Sequence, residues 1–117
     1  MLIAVKHTKA LRNHLDALKK RFENTDPPVN RRDRDLFQMV KKETDPIYNL
    51  LDQWEETTLS LIKERKVKVH PHQVTSTKEN MELLLMHSYF IDVRRKRYME
   101  LYNSISYIFD QILNESK

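Results

Sequence analysis

The stretch MELLLMHSYFIDVRRKRYMELYNSISYIFDQI, residues 81–112, decides the fold class of this chain. Its residues keep one register of alternating three- and four-residue steps, which is the spacing of one face of an α-helix. A Ser-Thr-Lys-Glu sequence at 76–79 has the pattern of a capping box. We therefore predict a long C-terminal helix over about 77–114, with 94–97 as the place for any bend. The residues in register are Met81, Leu84, Ser88, Ile91, Arg95, Tyr98, Tyr102, Ile105, Phe109 and Ile112.

The N-terminal segment shows the same periodicity and predicts a first helix over about 2–23. This helix ends before Pro27 and Pro28, because paired prolines remove two backbone donors and disfavour helical geometry in the preceding residues. Its apolar face consists of Ala4, Thr8, Leu11, Leu15, Leu18 and Phe22.

The middle of the chain predicts two helices, over about 32–43 and 46–66, separated at Asp45 and Pro46. Asp45 is a suitable N-cap and Pro46 is tolerated in a first helical turn. One kinked helix over about 32–66 is the alternative. The segment 67–71 predicts an extended connector, because the residue before Pro71 avoids the helical region.

The composition excludes several classes of site. The 117 residues contain no glycine, so the glycine-rich loops that cradle phosphates in nucleotide sites are missing. They contain no cysteine, which excludes disulfides, thiolate nucleophiles and cysteine zinc sites. We predict that the protein has no cofactor, no bound metal and no catalytic residues, and that it is not an enzyme.

Length, charge and hydropathy predict one soluble, cytoplasmic, all-α domain over 1–117. A chain of this size can bury a core without covalent cross-links, and its net charge of +4 is modest. The apolar start at residues 1–5 is shorter than the core of an export signal. No stretch approaches the length of a membrane span, so we expect no membrane partner.

A second apolar row on the C-terminal helix is the first candidate functional surface. The row lies off the main register, so this part of the helix is apolar beyond what one packing seam requires. We predict that it contacts another protein or a second copy of the chain. Its members are Leu83, Met86, Phe90 and Val93.

Basic side chains form the second candidate surface. The first helix holds most of the excess positive charge, and residues 94–97 read Arg-Arg-Lys-Arg. Such residues can contact anions or nucleic acid without sequence preference. The candidate contacts are Lys9, Lys20, Arg94 and Arg97.

The remaining polar residues favour structural roles. His70 and His72 flank a proline but lack a third metal ligand. His87 and Ser88 are adjacent, yet neighbouring side chains on a helix point about 100° apart and do not face each other. Asp52 and the acids after it are predicted to be solvated.

A set of residues between about 45 and 113 resembles the YppE-like family of small proteins from Gram-positive bacteria. The resemblance implies an up-and-down four-helix bundle, in agreement with the periodicity, and implies no activity. The residues that carry it are Trp54, Leu61-Ile62-Lys63, Val69-His70, Gln73-Val74, Asn80, His87-Ser88-Tyr89, Lys96-Arg97-Tyr98 and Ser104 to Tyr107.

These observations lead to two hypotheses of function. The first is a non-enzymatic protein-interaction module that acts through the second apolar row. The alternative is weak, sequence-independent binding to nucleic acid through the basic first helix.

Overall fold

The computed structural model describes residues 2–116 and contains four α-helices. Met1 and Lys117, the ends of the predicted domain, lie outside the described residues. Within residues 2–116, every regular element is a helix, so the predicted all-α class is confirmed. The helices are α1 (Leu2–Asn24), α2 (Arg34–Lys63), α3 (Pro71–Phe90) and α4 (Arg95–Glu115).

The helices form an up-and-down bundle in which each one packs against its neighbours along the chain. α1 also contacts α4, and α1 and α3 approach each other across the centre. Two ion pairs show that α1 and α4 are antiparallel. Arg12 meets Asp110 near one end of the α1–α4 contact, and Glu23 meets Arg95 near the other.

The predicted break between 43 and 46 is wrong, because α2 continues through Pro46. The alternative of one helix across this region is the observed one, with bounds Arg34–Lys63. Val40, Thr44 and Ile47 are all buried and keep a four-and-three spacing across the proline, so the same stripe contacts the core on both sides. Burial of this stripe offsets the hydrogen bond that Pro46 removes.

The predicted continuous helix over 77–114 is also wrong, because the chain turns back at residues 91–94. Ile91 caps α3 in the left-handed conformation, at φ 49°, and its amide donates to the His87 carbonyl. A helix of 38 residues would extend about 57 Å, beyond the 48 Å length of the molecule. Turning back lets the apolar faces of α3 and α4 both pack in the bundle.

The start of α3 lies six residues before the predicted position. His70 is the N-cap: its Nδ1 accepts a hydrogen bond from the His72 amide, and the Gln73 Oε1 accepts one from the His70 amide. Pro71 occupies the first helical position, where its missing N–H costs nothing. The Ser76–Glu79 pattern therefore lies inside α3 and does not cap it.

The core joins all four helices through large side chains. Trp54 is fully buried, and its ring meets Phe109 edge-on at 5.4 Å between centroids. Its indole N–H donates to the Thr8 hydroxyl at 3.0 Å. Tyr98 stacks on Phe22 with ring centroids 3.9 Å apart. Most of the apolar residues in the predicted registers belong to this core.

Candidate functional site

Three members of the second apolar row, Leu83, Met86 and Phe90, lie on α3. Leu83 is 46% exposed, while Met86, Phe90 and Val93 are half-buried against the rim of the core. Seven residues separate Leu83 from Phe90, so the exposed row extends for about two helical turns, or about 10 Å. Val93 lies in the connector after α3, because the helix ends before it.

Phe37 of α2 extends this row, although the apolar spacing of the sequence did not mark it as a surface residue. Its ring is 51% exposed and lies 5.8 Å from that of Phe90, centroid to centroid. The spacing gave no signal for this exposure, because Phe37 precedes Val40 by three residues and so continues the Val40–Thr44–Ile47 stripe. We call the set Phe37, Leu83, Met86, Phe90 and Val93 the α2–α3 apolar surface.

Cations flank the α2–α3 apolar surface at the Phe37 end. Arg34 and Lys41 lie three residues before and four residues after Phe37, which places them on the same face of α2. Arg94 directly follows Val93. All three are exposed, and none forms an ion pair within residues 2–116.

The four predicted anion contacts do not converge on one site. Lys9 and Lys20 lie eleven residues apart on α1, which corresponds to about 16 Å along the helix. Arg94 and Arg97 lie at the start of α4, and Arg97 pairs with Glu100 at 3.6 Å. Arg95, which the sequence placed in the core register, is exposed and pairs with Glu23 at 2.9 Å.

The fold gathers other cations at the end of the bundle that holds the 25–33 and 91–94 connectors. Residues 19–35 and 92–97, which we call the connector end, contain ten lysines and arginines against five acids. The Glu23–Arg95 pair and the Phe37–Phe90 contact show that these segments are neighbours. The excess charge therefore lies at one end of the molecule as well as on α1.

His87 and Ser88 serve separate contacts. His87 Nδ1 lies 2.7 Å from an Asp92 carboxylate oxygen, at the turn into the connector. Ser88 is fully buried, donates to the Leu84 carbonyl and lies 2.6 Å from the Tyr98 hydroxyl. The two side chains do not hydrogen-bond to each other among the described residues, so this pair lacks the geometry of a nucleophile and its base.

The other polar candidates hold helices together or cap them. Lys78 of α3 binds Asp52 at 2.7 Å and Glu55 at 3.6 Å, both on α2. The hydrogen bond to Asp52 raises the pKa of Lys78. No group of three or more His, Asp or Glu side chains within residues 2–116 is arranged to hold a metal ion.

Two surface grooves accompany these features. A groove of about 440 Å³ between α3 and α4 is lined by uncharged side chains and includes Tyr107, which is 65% exposed. A groove of about 550 Å³ lies between α1 and α2 beside Pro46. Arg21 and Lys42 line this second groove, together with Tyr89 of α3.

The protein is therefore a small antiparallel four-helix bundle that carries the α2–α3 apolar surface and a cationic connector end. None of the helices within residues 2–116 is both long and apolar enough to cross a membrane. Residues 8–116 match the family described as a bacterial domain of unknown function, DUF1798. The chain belongs to this family.

Known relatives agree with this assignment. The chain is 30% identical over 82 residues to the uncharacterized protein YppE of Bacillus subtilis, covering 69% of this chain and 67% of the relative. The resemblance to YppE-like proteins is therefore confirmed.

Solved structures show the same fold. The X-ray structure of B. subtilis YppE superposes with a TM-score of 0.85 at 23% identity, covering 97% of this chain and 92% of that one. Its solution NMR structure gives 0.80 at 22% identity, covering 99% and 94%. The up-and-down bundle is thus shared with this relative.

Proposed function

We propose that this protein is a non-enzymatic docking module that receives an amphipathic, acidic helix of another protein on the α2–α3 apolar surface. The observation that carries the proposal is the pair of exposed anchors, Phe37 and Leu83, on two adjacent helices with Phe90 between them. Adjacent large apolar side chains that stay exposed to solvent mark candidate protein-interaction sites.

The spacing of the α2–α3 apolar surface favours a helical partner. Leu83, Met86 and Phe90 follow the three-and-four spacing of one helix face, and a helix laid along them presents anchors at the same spacing. Such a partner would exclude water from the exposed parts of Phe37 and Leu83. Burial of these two side chains would supply the main gain in free energy.

The positive charges near the α2–α3 apolar surface favour an acidic partner. Arg34, Lys41 and Arg94 flank its Phe37 end without ion pairs among the described residues, so an incoming carboxylate meets uncompensated positive charge. If the α2–α3 apolar surfaces of two copies of this chain paired in parallel, the three cations of each copy would meet. This repulsion disfavours parallel self-association, whereas an acidic segment of another protein would neutralise the same cations.

Site-specific photo-crosslinking in the native cell tests the proposal. A photoreactive amino acid at Leu83 should crosslink to a discrete protein, and mass spectrometry should place the crosslink in an acidic amphipathic segment. The matched control carries the same amino acid at Gln53, which is exposed on the other side of α2. Crosslinks to a second copy, or equal products from both positions, would contradict the proposal.

A synthetic peptide of the crosslinked segment then tests the chemistry. Its affinity should fall about tenfold or more for Phe37→Ser and for a combined Arg34→Glu and Lys41→Glu variant. Unchanged affinity in both variants would refute docking on this surface, provided that both retain the circular dichroism of the parent.

The connector end supports nucleic-acid binding as the second candidate function. Its ten cations exceed its acids by five, and exposed arginines and lysines contact phosphates without reading sequence. Fluorescence anisotropy with a 20-base-pair duplex should then show a steep loss of affinity between 50 and 200 mM salt. Binding that survives Lys20→Glu with Arg94→Glu would exclude this function.

A further inference from the structure

The groove between α1 and α2 combines an apolar floor with charged walls. Leu18 and Ile47 are almost fully buried beneath it, and Pro46 forms part of its wall on α2. Its volume of about 550 Å³ lies within the range of small-molecule sites. It opens on the α1 side of α2, whereas Phe37 lies on the α3 side, so it is separate from the α2–α3 apolar surface.

Arg21 is held in place at this groove. Its guanidinium carbon lies 4.3 Å from the centroid of the Tyr89 ring, which is itself 7% exposed. This cation–π contact orients the side chain without neutralising its charge. Arg21 forms no ion pair within residues 2–116, and its buried Nε has no hydrogen-bond partner there. The guanidinium is therefore held in position without an ion pair.

Lys42 and Glu43 provide the charges of α2 at the groove. Lys42 is exposed and forms no ion pair among the described residues. Burial raises the pKa of Tyr89 to about 12, and the hydrogen bond to Glu43 and the negative charge of Glu43 act in the same direction. The tyrosine therefore stays neutral at physiological pH. Two cations and one carboxylate therefore line the groove, together with His14.

We propose that this groove binds an amphipathic organic anion, with its headgroup between Arg21 and Lys42 and its apolar body over Leu18 and Ile47. The headgroup chemistry is a carboxylate or a phosphate, since a guanidinium binds both. A simple inorganic anion lacks the apolar body, and an apolar molecule without a headgroup leaves the two cations unused. Both parts of the ligand are therefore required.

Four probes with the same number of carbon atoms separate these requirements. Octanoate and octyl phosphate should bind the full chain in calorimetry, with NMR shifts concentrated at residues 14–21 and 42–47. Octan-1-ol should bind at least about tenfold more weakly, because it lacks the charge. Octylammonium should bind more weakly still. Binding of only octanoate or only octyl phosphate would identify which headgroup the groove accepts.

Three substitutions test the electrostatics: two remove a positive charge and one removes a negative charge. Arg21→Gln should weaken octanoate binding about tenfold, and Lys42→Gln should weaken it less. Glu43→Gln should tighten binding, because it removes the one like charge in the groove. The matched control is Lys6→Gln, which removes an exposed cation from α1 far from the groove and should leave affinity unchanged. Circular dichroism checks that each variant folds.

Three results would overturn the inference. The first is equal affinity for octanoate, octan-1-ol and octylammonium, which would mean that the groove does not select charge. The second is weaker binding to Glu43→Gln together with unchanged binding to Lys42→Gln. The third is a set of NMR shifts that lies outside the groove, or no binding of either anionic probe at millimolar concentration. None of these results depends on the α2–α3 apolar surface.

Discussion

The hydroxyl oxygens of Ser88 in α3 and Tyr98 in α4 lie 2.6 Å apart in the core, on either side of the turn that separates the two helices. The Ser88 hydroxyl proton is directed to the Leu84 carbonyl at 2.7 Å, so the Tyr98 O–H is the donor to Ser88. This hydrogen bond joins α3 to α4 at the level where Tyr98 stacks on Phe22.

Removal of the Tyr98 hydroxyl should destabilise the fold modestly. Tyr98→Phe retains the ring stack and deletes one buried hydrogen bond, so we expect the free energy of unfolding to fall by about 0.5–1.5 kcal/mol in urea denaturation. Tyr107→Phe is the control, because Tyr107 is 65% exposed and should change stability little. Equal effects of the two substitutions would contradict a specific role for the Ser88–Tyr98 contact.

Stability should decrease at alkaline pH. Burial raises the pKa of Tyr98 and of Tyr89 from 10.0 to about 12. The folded state therefore retains protons that the unfolded state has lost between pH 10 and 12, so stability is full below pH 10 and falls through this window. Urea midpoints measured at pH 9, 10, 11 and 12 should show this decrease, and the Tyr89→Phe and Tyr98→Phe double variant should show a smaller one.

Two buried threonines should respond to valine substitution in opposite directions. The Thr8 hydroxyl accepts from the Trp54 indole, so Thr8→Val leaves a buried donor without a partner and should cost about 1–3 kcal/mol. The Thr58 hydroxyl is buried without a partner within residues 2–116. Thr58→Val should therefore be neutral or stabilising. Thermal unfolding of both variants tests the pair, and destabilisation by Thr58→Val of the same size would be inconsistent with it.

Arg65 occupies a position that normally suits glycine. Its φ is 59°, and the amides of Arg65 and Lys66 donate to the carbonyls of Ile62 and Leu61, which is the Schellman pattern at the end of α2. Arg65→Gly should raise the free energy of unfolding by about 0.5–1 kcal/mol, because the left-handed conformation strains a residue with a Cβ. The neighbouring Lys66→Gly change should lower it. A reversal of these signs in urea denaturation would refute the assignment.

Pro46 should be a net cost to α2. Pro46→Ala allows the Lys42 carbonyl to regain its helical hydrogen bond, and we expect stabilisation by about 1–3 kcal/mol in urea denaturation. Pro71→Ala is the control, because a proline at the first helical position breaks no bond and its loss should not stabilise. A destabilised Pro46→Ala protein would contradict this expectation and would mean that the proline itself contributes to packing.

The local periodicity of the chain determined the helical class, the registers and most of the core. Leu11, Leu15, Leu51, Trp54, Leu84 and Ile105 are buried where the spacing predicted. This information is local, because the apolar spacing of a helix is fixed by its own geometry. The second apolar row was predicted in the same way, and three of its members lie on α3.

Only the tertiary structure decided that α2 continues through Pro46, that α3 and α4 are separate helices, and which surfaces meet. α2 continues through Pro46 because its apolar stripe is buried both before and after the proline. Ile91 adopts a left-handed cap because the turn that follows lets the apolar faces of α3 and α4 both be buried. Neither outcome follows from local propensity, since the compensating free energy comes from distant residues. The contact of Phe37 with Phe90 and the placement of Arg21 on Tyr89 likewise join residues more than fifty positions apart. Packing of antiparallel helices, and not sequence spacing, brings them together.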